Sequence, residues 1–128
     1  MIDRLSAYAP YSLALLRIVS ALLFLEAGTV ILFGWPKPAF EMPPMDALSW
    51  FAGIMELVGG LLLTIGLLTR PTAFILSGMM AVAYWGFHFP SNPWPVNNMG
   101  IPAILFCFVF LHLVFAGPGA WALDNLRR

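Results

Sequence analysis

Two carboxylates, Glu26 and Glu56, stand inside runs of Leu, Ile, Val, Gly and Ala, and Arg17, Tyr84, His88 and His112 share that setting. A carboxylate at the centre of a bilayer costs roughly 3 kcal/mol to insert, so ionisable groups in such runs default to a functional reading. The chemistry open to them is proton handling, cation binding or hydrogen bonding to a hydrophobic substrate. Catalytic candidates are Glu26, Glu56 and His88. Tyr84, Asn98 and His112 are candidates for holding a cofactor, and Arg17 and Arg70 are candidate structural cations.

The surroundings decide which elements must position these groups. Of 128 residues, 61% are hydrophobic and 9% charged, with a mean hydropathy of +0.88. Soluble domains carry about 25% charged residues, so the solvent of this chain is lipid. The formal net charge is zero, and no basic cluster points to nucleic acid. A single cysteine, Cys107, excludes an internal disulfide, a dithiol relay and a cysteine-based zinc site. No metal centre is expected. Met79, Met80 and Met99 are soft donors, but their setting reads as packing.

Four apolar stretches predict four transmembrane helices, at about 11–34, 46–68, 72–89 and 100–116. "WPKPAFEMPP" breaks the chain between the first two, with four prolines in ten residues that fix φ and remove donors. Asp46 is a candidate N-cap. "TRP" leaves only a short turn between the second and third, with Pro71 near a helix start. "PSNPWPVNN" precedes the fourth, and "GPG" ends it. The expectation is one all-α integral membrane domain over 1–128, an antiparallel bundle of four transmembrane helices, with the first span mature rather than a cleaved signal.

With four spans, both termini and the Arg70 turn share a side. That side holds Arg4, Arg70, Arg127 and Arg128, with Arg17 nearest to it; the other holds only Lys37. The excess of positive charge places both termini in the cytoplasm of a bacterial inner membrane.

A rise of 1.5 Å per residue puts Glu26 about 12 Å and Glu56 about 15 Å below the outer ends of their spans. They share a layer and are expected to face the interior close enough to couple. At neutral pH at most one of a coupled pair carries charge. The alternatives are a bound cation, a salt bridge from Glu56 to Arg17 through helix tilt, or simple packing polars. Arg17, His112 and Thr64 form a second layer, about 7–10 Å from the inner ends, where Arg17 and His112 expect carbonyl or polar partners or, for Arg17, an exit to the interface. Arg17 and Glu26 are nine residues apart and point to opposite faces of a straight helix. His88 and His112 differ in depth by about 20 Å and cannot ligate one haem, so no haem is predicted.

"ALLRIVSALLFLEAGTVILFG", "AGIMELVGGLLLTIGLLTRPTAFILSGMMAVAYW" and "NNMGIPAILFCFVFLHLVFAGPGAWALD" together resemble the DoxX family of small four-helix bacterial inner-membrane proteins. Arg17, Glu26, Gly28, Glu56, Gly59, Gly60, Arg70, His88, Asn98 and Gly100 match its pattern. The chain departs from it at Ala27 (usually His), Ile31 (Lys), and Met79 and Ile101 (Glu in close relatives). The resemblance implies an accessory or redox-associated subunit near a quinone or another hydrophobic substrate, and leaves open whether the chain is an enzyme. The alternatives are a non-catalytic subunit of a larger respiratory or pigment complex and a small lipid or terpenoid binder. The partners expected are the bilayer, other membrane subunits or a second copy.

Overall fold

The computed structural model describes residues 2–127, all helix and connecting loop among those residues. Arg128, counted above on the positive side, lies outside them. The elements are α1 (Ile2–Leu5), α2 (Ala9–Phe33), α3 (Ala47–Ile65), α4 (Thr69–Ala83), α5 (Pro95–Asn98) and α6 (Ile101–Ala116). Three helical stretches, 2–33, 47–65 and 69–91, are long and apolar enough to cross a membrane, and α6 is a shorter apolar helix of 16 residues. The expected antiparallel bundle of α2, α3, α4 and α6 is what forms.

Local chemistry sets the ends of these helices. Pro10 sits in the first turn of α2, where its missing N–H costs nothing. Gly34 stops α2 with a left-handed φ of 66°. Asp46 caps α3 as expected, its carboxylate accepting from the Ser49 N–H at 2.7 Å. Gly66 closes α3 in the left-handed region, and its N–H reaches back to the Leu63 carbonyl. The third span starts earlier than the prolines suggest, because Pro71 lies inside the first turn of α4. It also runs on past Ala83 through one π-turn, Tyr84–His88, and a 3₁₀ turn, Phe89–Ser91.

The helices pack as two intimate pairs, α2 with α3 and α4 with α6. Phe24 of α2 bridges the pairs, edge-on to Phe110 of α6 at 5.0 Å between ring centres. Leu63, Leu76, Phe110 and Leu113 fill the centre with no exposure. Contact between α3 and α4 is sparse by comparison, although one short turn joins them. The hairpin arms therefore leave space between them.

Candidate functional site

At the end of the bundle that holds both termini, the last residues fold back as a plug. Arg17 is completely buried. Its Nε donates to the Leu63 carbonyl at 2.9 Å, its Nη1 to the carbonyls of Pro118 and Ala120, and its Nη2 to that of Trp121 at 2.8 Å. The planar guanidinium fork suits this set of acceptors. Arg17 thus meets the carbonyl partners expected of it and neither exits to the interface nor bridges to Glu56. Arg70 does the same for α6, its Nη1 donating to the carbonyls of Val114 and Phe115, both at 2.8 Å. Ala120 donates to the Pro10 carbonyl, tying the tail to α2.

Asp124 completes the plug; it closes the "AGPGAWALD" ending that is part of the resemblance, but no local pattern gave it a role. Its carboxylate accepts from the N–H groups of Leu68 and Thr69 at 2.8 and 2.9 Å, so it caps α4 from 55 residues away. Burial alone would raise its pKa, but the hydrogen bonds from Thr69 and Leu68, with the Arg127 charge nearby, outweigh that and hold it below the usual carboxylate range. A carboxyl depressed on folding stabilises the fold fully above its unfolded pKa, and that stability is lost as pH falls through the folded value. Asp124→Ala is expected to cost about 1 kcal/mol, as other lost caps do, and to remove part of the stability loss below pH 4. Unfolding in detergent between pH 7 and pH 3 reads both effects; an unchanged acid profile would exclude the cap.

Glu26 and Glu56 do not meet. Arg17 takes the inward face of α2, with Ala14, Ala21, Phe24 and Gly28. Glu26 is half a helical turn away from that face and exposed. Equal depth brought the two carboxylates into one layer but not onto one surface. His112 is likewise exposed on α6, with no hydrogen-bond partner among the described residues. Thr64 donates to the Gly60 carbonyl of its own helix. The expected inner layer therefore reduces to Arg17 and backbone carbonyls.

Glu56 does face inward, and only 9% of it is exposed. Its Oε2 is buried with no hydrogen-bond partner. It lines a cleft of about 510 Å³ between α3 and α4, roofed by Met42, Pro43 and Met45 of the first loop. Met55, Met79 and Met80 line the walls, so five of the seven methionines converge on this one space. Half-buried Ile31 also lines the cleft, and Leu48, Phe51, Gly78, Val82 and Phe87 are exposed at the rim. Thioether side chains are flexible and polarizable and adapt to varied apolar shapes. Met79 and Met80 do pack on the core, as the packing reading has it, and they also face this cleft, which Met42 and Met45 join from a loop.

Three other candidates come together at the opposite end of the bundle from the tail. His88 Nδ1 lies 2.9 Å from the Asn98 carbonyl; a carbonyl can only accept, so Nδ1 carries the proton. The Asn98 side chain donates to the Asn92 carbonyl and, at 3.4 Å, to the Tyr84 hydroxyl, and accepts from the Gly100 N–H. Tyr84 and Asn98 are buried. None of the three lines the cleft. Their bonds fasten the second loop to the π-turn, a device often found beside binding sites.

A protein of Haemophilus influenzae described as uncharacterized is 41% identical, over 96% of this chain and 96% of its own. An uncharacterized membrane protein of Mycobacterium tuberculosis is 28% identical over 94% of this chain and 84% of its own. An inner membrane protein of Escherichia coli is 28% identical over 86% and 87%. No solved structure matches. The DoxX family model matches residues 12–89, from the first span through the π-turn, and the chain belongs to the DoxX family.

Proposed function

We propose that this protein holds a quinone or another small-headed hydrophobic molecule in the α3–α4 cleft, as an accessory, redox-associated component of a bacterial inner membrane. The observation that carries the reading is the orphaned Oε2 of Glu56 at the floor of an otherwise apolar cleft. Few convergent polar groups in an apolar space of a few hundred Å³ are the usual make-up of a small-molecule site.

Depth narrows the class of ligand. Glu56 lies ten residues along α3 from Asp46, about 15 Å into the bilayer. A phospholipid head group stays at the interface, so its acyl chain alone would reach Glu56. A ring that carries only hydroxyl or carbonyl groups can enter sideways between the exposed rim residues. An ionised carboxylate accepts from a ligand hydroxyl, and a protonated one donates to a ligand carbonyl. Ile31 and Met79 stand where the resemblance anticipates Lys and Glu, and both line the cleft, which suits a more apolar ligand.

Gly78 offers a clean test, because a Cβ built there meets nothing within 4 Å. Gly78→Phe is expected to fill the cleft and abolish binding of a short-tailed benzoquinone, read by quenching of tryptophan fluorescence, with the helical circular dichroism unchanged. Glu56→Leu is expected to weaken binding about tenfold, the value of one lost hydrogen bond of roughly 1.4 kcal/mol. Wild-type affinity in both variants would remove the reading.

A further inference from the structure

The outer face of α2 is unexplained by the cleft or the plug. Glu26 is exposed there, seven residues before the helix ends at Phe33. Its backbone carbonyl accepts from Thr29, but its carboxyl has no partner among the described residues. Around it stand Leu15, Val19, Leu22, Leu23 and Phe33, all exposed. A carboxyl directed at hydrocarbon is costly, and polar side chains in membrane helices find partners across helix contacts.

We propose that this face joins two copies of the chain, the two Glu26 carboxyls hydrogen-bonding to each other across a twofold axis. Two features select a second copy. Val19, Glu26 and Phe33 are spaced by seven, with Leu15 and Leu22 four residues before Val19 and Glu26 and Leu23 beside them, so one like helix can follow the seam along its length. A single polar residue on such a seam sets the register. The second feature is the placement of the basic side chains. Arg17 is buried and engaged, while Arg4, Lys37, Arg70 and Arg127 lie in end or loop segments. Among the described residues no lysine or arginine stands on an outer face at the depth of Glu26, and His112, exposed on α6, lies about 6 Å deeper, so a head-to-tail contact through a salt bridge is not matched in level. Two carboxyls that share at least one proton are self-complementary, as an isologous interface requires.

The seam is separate from the cleft, which Glu26 does not line. Energy transfer between donor- and acceptor-labelled chains in phosphatidylethanolamine–phosphatidylglycerol vesicles reads the association as lipid is added. Wild type is expected to associate, Glu26→Leu to associate at least tenfold more weakly, and Glu26→Gln to retain association because an amide both donates and accepts. In a Cys107→Ala background, Val19→Cys is expected to form an oxidised dimer and Phe108→Cys, exposed on α6, is not. Glu26→Leu should leave quinone binding in the cleft unchanged. Monomeric wild type at every dilution, equal association of Glu26→Leu, or cross-linking as strong through Phe108→Cys would each overturn the proposal.

Discussion

Replacing Arg17 by methionine is expected to release the C-terminal plug and cost about 4 kcal/mol or more. Four carbonyls, from Leu63, Pro118, Ala120 and Trp121, converge on one guanidinium. A hydrogen bond to a charged group contributes about 1.5–3 kcal/mol, and a buried acceptor left without its donor costs a further desolvation penalty. These terms are not additive, but any reasonable fraction of four such bonds exceeds a typical substitution effect of about 1 kcal/mol. Methionine fills similar space and supplies no donor. Lysine is expected to fall between, because a point ammonium cannot serve the same fork of acceptors. The measurement is thermal unfolding in mild detergent, joined to proteolysis of the tail after Gly117. Wild-type stability with an intact, protected tail in Arg17→Met would show that the plug is held by packing alone.

Gly60→Leu is expected to separate α2 from α3, with a loss of roughly 3 kcal/mol or more. A Cβ at position 60 would lie 2.9 Å from the Leu25 Cα and 3.0 Å from its nitrogen. These are backbone atoms, so no rotamer change relieves the clash and the helices must move apart. Small residues allow such close approach between membrane helices, where association rests on packing rather than on the hydrophobic effect. Gly78→Leu is the matched control: the same side chain enters open space and stability should stay near wild type. The two variants, compared by monodispersity and unfolding temperature in one detergent, separate a general intolerance of leucine from the specific α2–α3 contact. Equal behaviour would refute the assignment.

Much of the scaffold was legible in the residues. Apolar run length, the proline breaks, the Asp46 cap and the short Arg70 turn predict the helices and their order. Nine residues between Arg17 and Glu26 correctly place them on opposite faces of α2. Which of the two turns inward was not legible. In lipid, the outer face of a helix is as apolar as the packed one, so no amphipathic stripe marks the interior. Depth fixes one coordinate of a residue and leaves its azimuth free, and the matched depths of Glu26 and Glu56 misled for that reason. Asp124 acts on a helix start 55 residues away, and the methionine cleft gathers residues from a loop and two helices. Neither has a local signal.

The plug also imposes an order on biosynthesis. Arg17 emerges early, in the first span, while three of its four acceptors lie 101 to 104 residues further on. An arginine at the centre of an inserting helix carries a penalty of about 2.5–3.5 kcal/mol on the translocation scale, and Arg17, eight residues into α2, carries part of it. That penalty stands throughout synthesis of α3, α4 and α6, until the ribosome releases Pro118 to Trp121. The nascent chain therefore reaches its settled state only once residues 118–121 have left the ribosome, and a ribosome that stops before them leaves an early helix whose arginine lacks most of its acceptors, a chemical mark by which membrane quality control can tell such a product from one that carries the plug.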